Sequence, residues 1–245
     1  MAASFRGCAS HPSLDANIFF PEGSGPFPPP QPLHGHGFLL HGARAVGKTS
    51  LAFQAAINTV QRSNGSVVVL CQESTLYSKV PQPFTPLRSL PESTLGRIEF
   101  IYVEGWTAAL REMMGFRTTR AVPTLVLVDD DGFEVTAPAD CRGKRIGRHS
   151  DVLVATAAAS CLSYLENLHD WMTRHGHPFF YVLVTNRLPE SATQLSLPYA
   201  AFPLVNVWVG ASGTVQITST PADNTAAVVA PPVYLTWQNG LRMRG

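Results

Sequence analysis

The chain has 245 residues, 45% hydrophobic and 14% charged, enough to bury one full-sized core. Its 18 Lys and Arg against 17 Asp and Glu leave a formal net charge of +1, which excludes a global field drawing it to nucleic acid or to a membrane surface. Four cysteines (Cys8, Cys71, Cys141, Cys161) show no CxxC spacing and no framework density, which fits a reducing intracellular compartment.

The first twenty residues lack a basic start followed by an apolar run, so no secretory signal is expected. No stretch approaches 18 uninterrupted apolar residues, so a soluble protein without a membrane span is expected. Residues 1–33 contain FFPEGSGPFPPPQPL, a proline and glycine density that sustains neither a helix nor a sheet ladder. That segment is expected to be disordered, or ordered only on contact, ahead of one domain at 34–245.

Regular structure is expected from Gly37. GFLLHG at 37–42 is a short apolar run ending at glycine, hence a buried strand, and 47–60 repeats apolar residues at helical spacing. SVVVLCQE at 66–73 is β-branched and follows Asn64-Gly65, so it reads as a second strand. After a proline-rich connection come a third strand at 97–104, a short helix WTAALREMM, and a fourth strand at 124–130. Val154, Ala158, Cys161, Leu165, Leu168 and Met172 form one stripe of a helix over 151–174, with Asp151 as its cap. A fifth strand spans 179–186, and LVNVWV, TVQITS and VYLTW supply an antiparallel extension. Strands that are apolar on both faces and alternate with helices predict an α/β protein with a mostly parallel sheet covered on two sides. No internal repeat is visible.

Between the first strand and the first helix lies Gly42-Ala43-Arg44-Ala45-Val46-Gly47-Lys48-Thr49, followed by Ser50. Two glycines, then lysine and threonine, at this spacing match the phosphate-binding loop pattern in full. The glycines let successive N–H groups turn inward onto phosphate oxygens, and the helix start adds its positive dipole end. Lys48 can then reach the β- and γ-phosphates of ATP, and the Thr49 hydroxyl can ligate Mg²⁺.

Such a loop requires a carboxylate at the end of a neighbouring buried strand to hold the metal. TLVLVDDD offers Asp129, with Asp130 and Asp131 extending the acidic edge; alone, the run reads more readily as a strand stopped by a solvated acidic turn, and joined to the loop the metal role for Asp129 is favoured. Glu73 falls at the carboxyl edge of the second strand, where it can orient water or simply face solvent. Asn186 and Arg187 end the fifth strand, either sensing the γ-phosphate or only capping the strand.

Taken in order, the loop at 42–49, the strand leading to Glu73, the Asp129 strand and VLVTN at 182–186 resemble the RecA-type recombinases of eukaryotes and archaea. The likeness covers about residues 37–220 and is strongest to their short paralogues. By size it is similar to the short SWIM-domain-associated paralogues of that family, so the helical N-terminal domain of the full recombinases is not expected here. The resemblance implies a RecA-like P-loop NTPase core and a Mg²⁺-dependent ATPase acting in homologous-recombination DNA repair in the nucleus. It also implies single-stranded DNA and a SWIM-domain or recombinase protein as partners. The family Glu at the position of Glu73 activates water. The family Gln after the Asn is Arg187 here, which cannot accept the same hydrogen bonds. An ATP-binding scaffold with little hydrolysis, stabilising a recombinase-mediator complex, is the alternative.

CRGKRIGRHSD concentrates Arg142, Lys144, Arg145 and Arg148 into seven positions among glycines. In the family the loop at this place contacts single-stranded DNA, and a flexible basic loop can mould to a phosphate backbone. The bland reading is a solvated loop balancing the three aspartates. LPESATQLSLPYA, at the second DNA loop, carries no basic residue. Phe53-Gln54-Ala55-Ala56 fits an FxxA docking pattern but sits in the loop helix, where core is expected. His34, His36 and His41 lack a ligand-like frame, and His169, His175 and His177 flank a helix end.

Overall fold

A computed structural model describes residues 13–23, 26, 33–63, 65–118, 120–133, 147–188, 198–219, 228–237 and 241–243. In chain order the elements are β1 (Leu14–Asp15), β2 (His34–Gly35), β3 (Gly37–Gly42), α1 (Lys48–Arg62), β4 (Val67–Cys71), α2 (Glu73–Ser78) and α3 (Glu92–Leu95). There follow β5 (Ile98–Tyr102), α4 (Trp106–Met114), β6 (Leu125–Asp129), α5 (Gly147–Arg174), β7 (Phe180–Val184), β8 (Leu204–Val209), β9 (Thr214–Ser219), β10 (Val228–Val229), β11 (Val233–Trp237) and β12 (Leu241–Met243).

The fold is α/β, a large, mostly parallel sheet flanked by helices. Its order is β12-β11-β9-β8-β3-β7-β6-β4-β5, with β10 paired to β9. From β8 to β5 every neighbouring pair is parallel, and beyond β8 the pairs β9, β10, β11 and β12 are antiparallel. Alternation along each central strand divides the core in two. Phe38, Leu40, Val67, Val69, Leu125, Leu127, Val182 and Val184 pack on the α1 side with Leu51, Ala52, Ala55 and Ala56. Leu39, Val68, Leu70, Val126, Val128, Tyr181 and Leu183 pack on the other side with residues of α4 and α5. Strands buried on both faces are what a parallel sheet between helix layers demands. Phe53, Ala55 and Ala56 are buried in this core, so the FxxA pattern is packing.

Three expectations about element boundaries and pairing are corrected. LVNVWV forms β8, which joins the parallel set beside β3, so the antiparallel extension begins one strand later. The strand expected at 66–73 ends at Cys71, and Glu73 opens a helix instead of closing a strand. The long helix starts at Gly147, so Asp151 lies inside its second turn and not at its cap. No breaker follows Gly147 to delay the first turn.

Part of the lead-in expected to be unstructured is folded. β1 pairs antiparallel with β2 across the proposed boundary at 33. The Asp15 carboxylate accepts from Asn17 N–H (2.7 Å) and caps a 3₁₀ turn over Ala16–Phe19. Ile18, Phe19 and Phe20 are buried, and the Asn58 side-chain amide on α1 donates to the carbonyls of Ile18 and Phe20, both at 2.7 Å. Among the described residues no helix is long and apolar enough to cross a membrane.

Candidate functional site

Because β3, β4, β6 and β7 run parallel, their carboxyl ends share one edge of the sheet, and the residues singled out above follow those ends. β7 stands between β3 and β6, so Thr185 and Asn186 emerge between the loop and Asp129.

The loop from Gly42 to Gly47 is built by backbone freedom. Gly42 has φ +117°, and a Cβ there would meet the Val209 carbonyl oxygen at 2.2 Å. The next residue uses that close approach, with Ala43 N–H donating to the same oxygen at 2.9 Å. Gly47 caps α1 at φ +94°, a conformation that glycine adopts without steric cost. Ala43 and Val46 are buried while Arg44 and Ala45 are exposed at the loop's crest.

Lys48 is buried, and its ammonium donates to the carbonyls of Gly42 (3.3 Å) and Ala43. Burial lowers its pKa to about 8, against the opposing pull of Asp129 and Asp131. The Thr49 hydroxyl donates to Asp129 Oδ2 at 2.6 Å, a contact between residues 80 apart in sequence. The Ser50 hydroxyl instead accepts from Gln82 N–H at 2.9 Å and ties α1 to the connection that follows α2.

Of the three aspartates, each has its own environment. Asp129 is buried, which pushes its carboxyl above the usual range against the Thr49 hydroxyl and the Asp131 N–H (3.1 Å). Asp130 is buried too and pushed up to about 7; its Oδ2 accepts from the Thr185 hydroxyl (2.8 Å) and pairs with Arg187 (3.5 Å). Burial would raise Asp131 as well, but hydrogen bonds from Lys79 and Asn186 outweigh it and hold the carboxyl below its ordinary range.

Two cavities meet at this edge. One of about 570 Å³ is lined by Ala45 to Ser50, by Ser78, Lys79, Val80 and Gln82, and by Asp131 and Asn186. The other, about 640 Å³, lies toward α5 and is bounded by Arg44, Asp130, Asp131, Asn186, Arg187 and Tyr199 among others. Asn186 therefore reaches both, and its buried Oδ1 has no hydrogen-bond partner.

Arg187 is already engaged. Besides pairing with Asp130, it donates to the Phe133 carbonyl at 2.5 Å, joining the segment after β6 to the segment after β7.

The structure thus gathers Gly42 to Ser50, Asp129 and Asn186 around one edge. Glu73 is exposed and lines neither cavity; its charge bears instead on the Tyr102 hydroxyl of β5, itself held up first by a hydrogen bond with Tyr77. Arg142, Lys144 and Arg145 lie outside the described residues, as does the Arg148 side chain, though Arg148 belongs to the first turn of α5. Lys79 was missed, because only the turn of α2 carries it back over the loop and no motif marks it. Thr185, which holds Asp130, was missed for the same reason.

Among the described residues no group of three or more His, Cys, Asp or Glu could hold a metal. His36 pairs with Glu166 at 3.0 Å, and His169 Nδ1–H donates to the Phe179 carbonyl at 2.8 Å. Magnesium makes a smaller demand, one or two protein oxygens completed by water and phosphate. A threonine hydroxyl against a buried carboxylate fits that donor set. No protein-family model matches the chain, and a search of curated proteins finds no similar sequence.

Proposed function

We propose that this chain is a Mg²⁺-dependent ATP-binding protein and ATPase with a RecA-like P-loop core, a recombinase paralogue of homologous-recombination repair in the nucleus. The observation that carries this reading is the Thr49–Asp129 contact at 2.6 Å beside a buried Lys48 on a glycine-shaped loop. Nothing in core packing requires a lysine, a threonine and a carboxylate to converge where a helix begins. A triphosphate does require it: its charge needs inward N–H groups, the dipole of α1, the Lys48 ammonium and a cation held by Thr49 and Asp129. Bound Mg²⁺ would neutralise charge on the β- and γ-phosphates.

In this reading Gly42, Ala43, Arg44, Ala45, Val46 and Gly47 wrap the phosphates, and Asn186 meets the terminal one with its free oxygen turned to water. The resemblance gives Glu73 the task of orienting that water, although its exposed side chain lines neither cavity. Single-stranded DNA contact rests on the sequence of the stretch holding Arg142, Lys144, Arg145 and Arg148, and a SWIM-domain or recombinase partner rests on the resemblance alone.

A second reading, an ATP-binding scaffold with little turnover, is favoured by two observations. Glu73 is exposed away from the cavities, and Arg187 is committed to Asp130 and Phe133. ATP hydrolysis by purified protein, with and without single-stranded DNA, separates the two. The first reading predicts turnover that falls about a hundredfold or more in Glu73→Gln while ATP binding persists. Binding without turnover above the background of Lys48→Ala refutes it in favour of the scaffold.

A further inference from the structure

Lys79 sits just past the last turn of α2 and lines the 570 Å³ cavity together with the phosphate loop. It also lines a small recess together with Thr49, Asp129 and Asp131. Its ammonium pairs with Asp131, the residue whose N–H donates to Asp129. Two cations therefore line one cavity: Lys48 buried in the loop, and Lys79 with 57% of its side chain exposed.

The two have different freedom. Lys48 is fixed by loop carbonyls, whereas Lys79 is held by one ion pair open to water, a kind worth only about 0–1 kcal/mol. A polyanion entering the cavity competes for that ammonium directly. The recess that Lys79 shares with Thr49 and Asp129 is where those two side-chain oxygens would hold the metal. The charge it would supply serves the outer phosphates of a triphosphate; Lys79, lining the same recess, would then serve the terminal phosphate, which a diphosphate lacks.

We propose that Lys79 is a second phosphate-binding cation supplied by the same chain, which leaves Asp131 for the terminal phosphate and so distinguishes a nucleoside triphosphate from a diphosphate. This rests on the nucleotide reading above.

The test is equilibrium binding of fluorescent ATP and ADP with Mg²⁺ to wild type, Lys79→Met and Lys79→Arg. Lys79→Met should weaken ATP binding roughly tenfold or more, the worth of one charge-assisted contact, and ADP binding less than about twofold. Lys79→Arg should keep most of the preference. If wild type binds ATP and the ATP-to-ADP ratio is unchanged in Lys79→Met, this inference alone is overturned. If wild type binds neither nucleotide, the nucleotide reading falls and takes the inference with it.

Discussion

His41 shows how much a single position can carry. It lies on β3 next to the loop, fully buried, and burial pushes its pKa down to about 4, with the nearby Asn206 side chain opposing and the Lys48 charge adding. The unfolded chain takes up a proton below about pH 6.5 and the folded chain does not until about pH 4. A depressed histidine therefore removes stability as pH falls through that interval. Between pH 7 and pH 5 the wild type should lose about 1–2 kcal/mol more unfolding free energy than His41→Gln, measured in urea. Equal losses in the two proteins would mean that His41 is not held neutral. Gly42, one residue on, was legible for the opposite reason: a phosphate loop needs glycine there, and the 2.2 Å approach to Val209 gives that need a structural cause. Neither the burial of His41 nor its neighbour Asn206, 165 residues later in the chain, leaves a mark in the local pattern.

At the level of elements, Asn58 joins the N-terminal segment to the body. Two hydrogen bonds run from one buried amide to Ile18 and Phe20, locking the 3₁₀ turn beneath α1. Asn58→Ala should cost about 2–3 kcal/mol and speed proteolysis within 13–23; a cost under about 0.5 kcal/mol would show the segment to be independent of α1. The central elements were readable because their signals are local. Five-residue β-branched runs and the stripe from Val154 to Met172 name their own secondary structure. The 13–20 segment was hidden by the prolines after it, although DANIFF holds both the capping Asp15 and the apolar residues that bury. The direction of β8 depends on a crossover over the sheet, and alternation along a strand is the same whether its neighbour is parallel or antiparallel.

Across the whole molecule, the sheet order converts sequence distance into proximity. β7 inserts between β3 and β6, and this brings the carboxyl ends of three strands, from Gly42, Asp129 and Asn186, to one edge. The loop and its acid were legible because each carries its own chemical signature, and their contact across 80 residues followed from parallel strands. Lys79 was not, since its place depends on where α2 ends. Glu73 shows the same dependence: strand periodicity puts it on the edge, and the helix that starts there turns it outward. The most direct measurement is calorimetric titration of the purified chain with ATP in the presence and absence of Mg²⁺, repeated with Lys48→Ala. Saturable, Mg²⁺-dependent binding that weakens about a hundredfold or more in the variant is expected. No binding by the wild type at millimolar ATP, or equal binding by the two proteins, would contradict a triphosphate site at Lys48, Thr49 and Asp129.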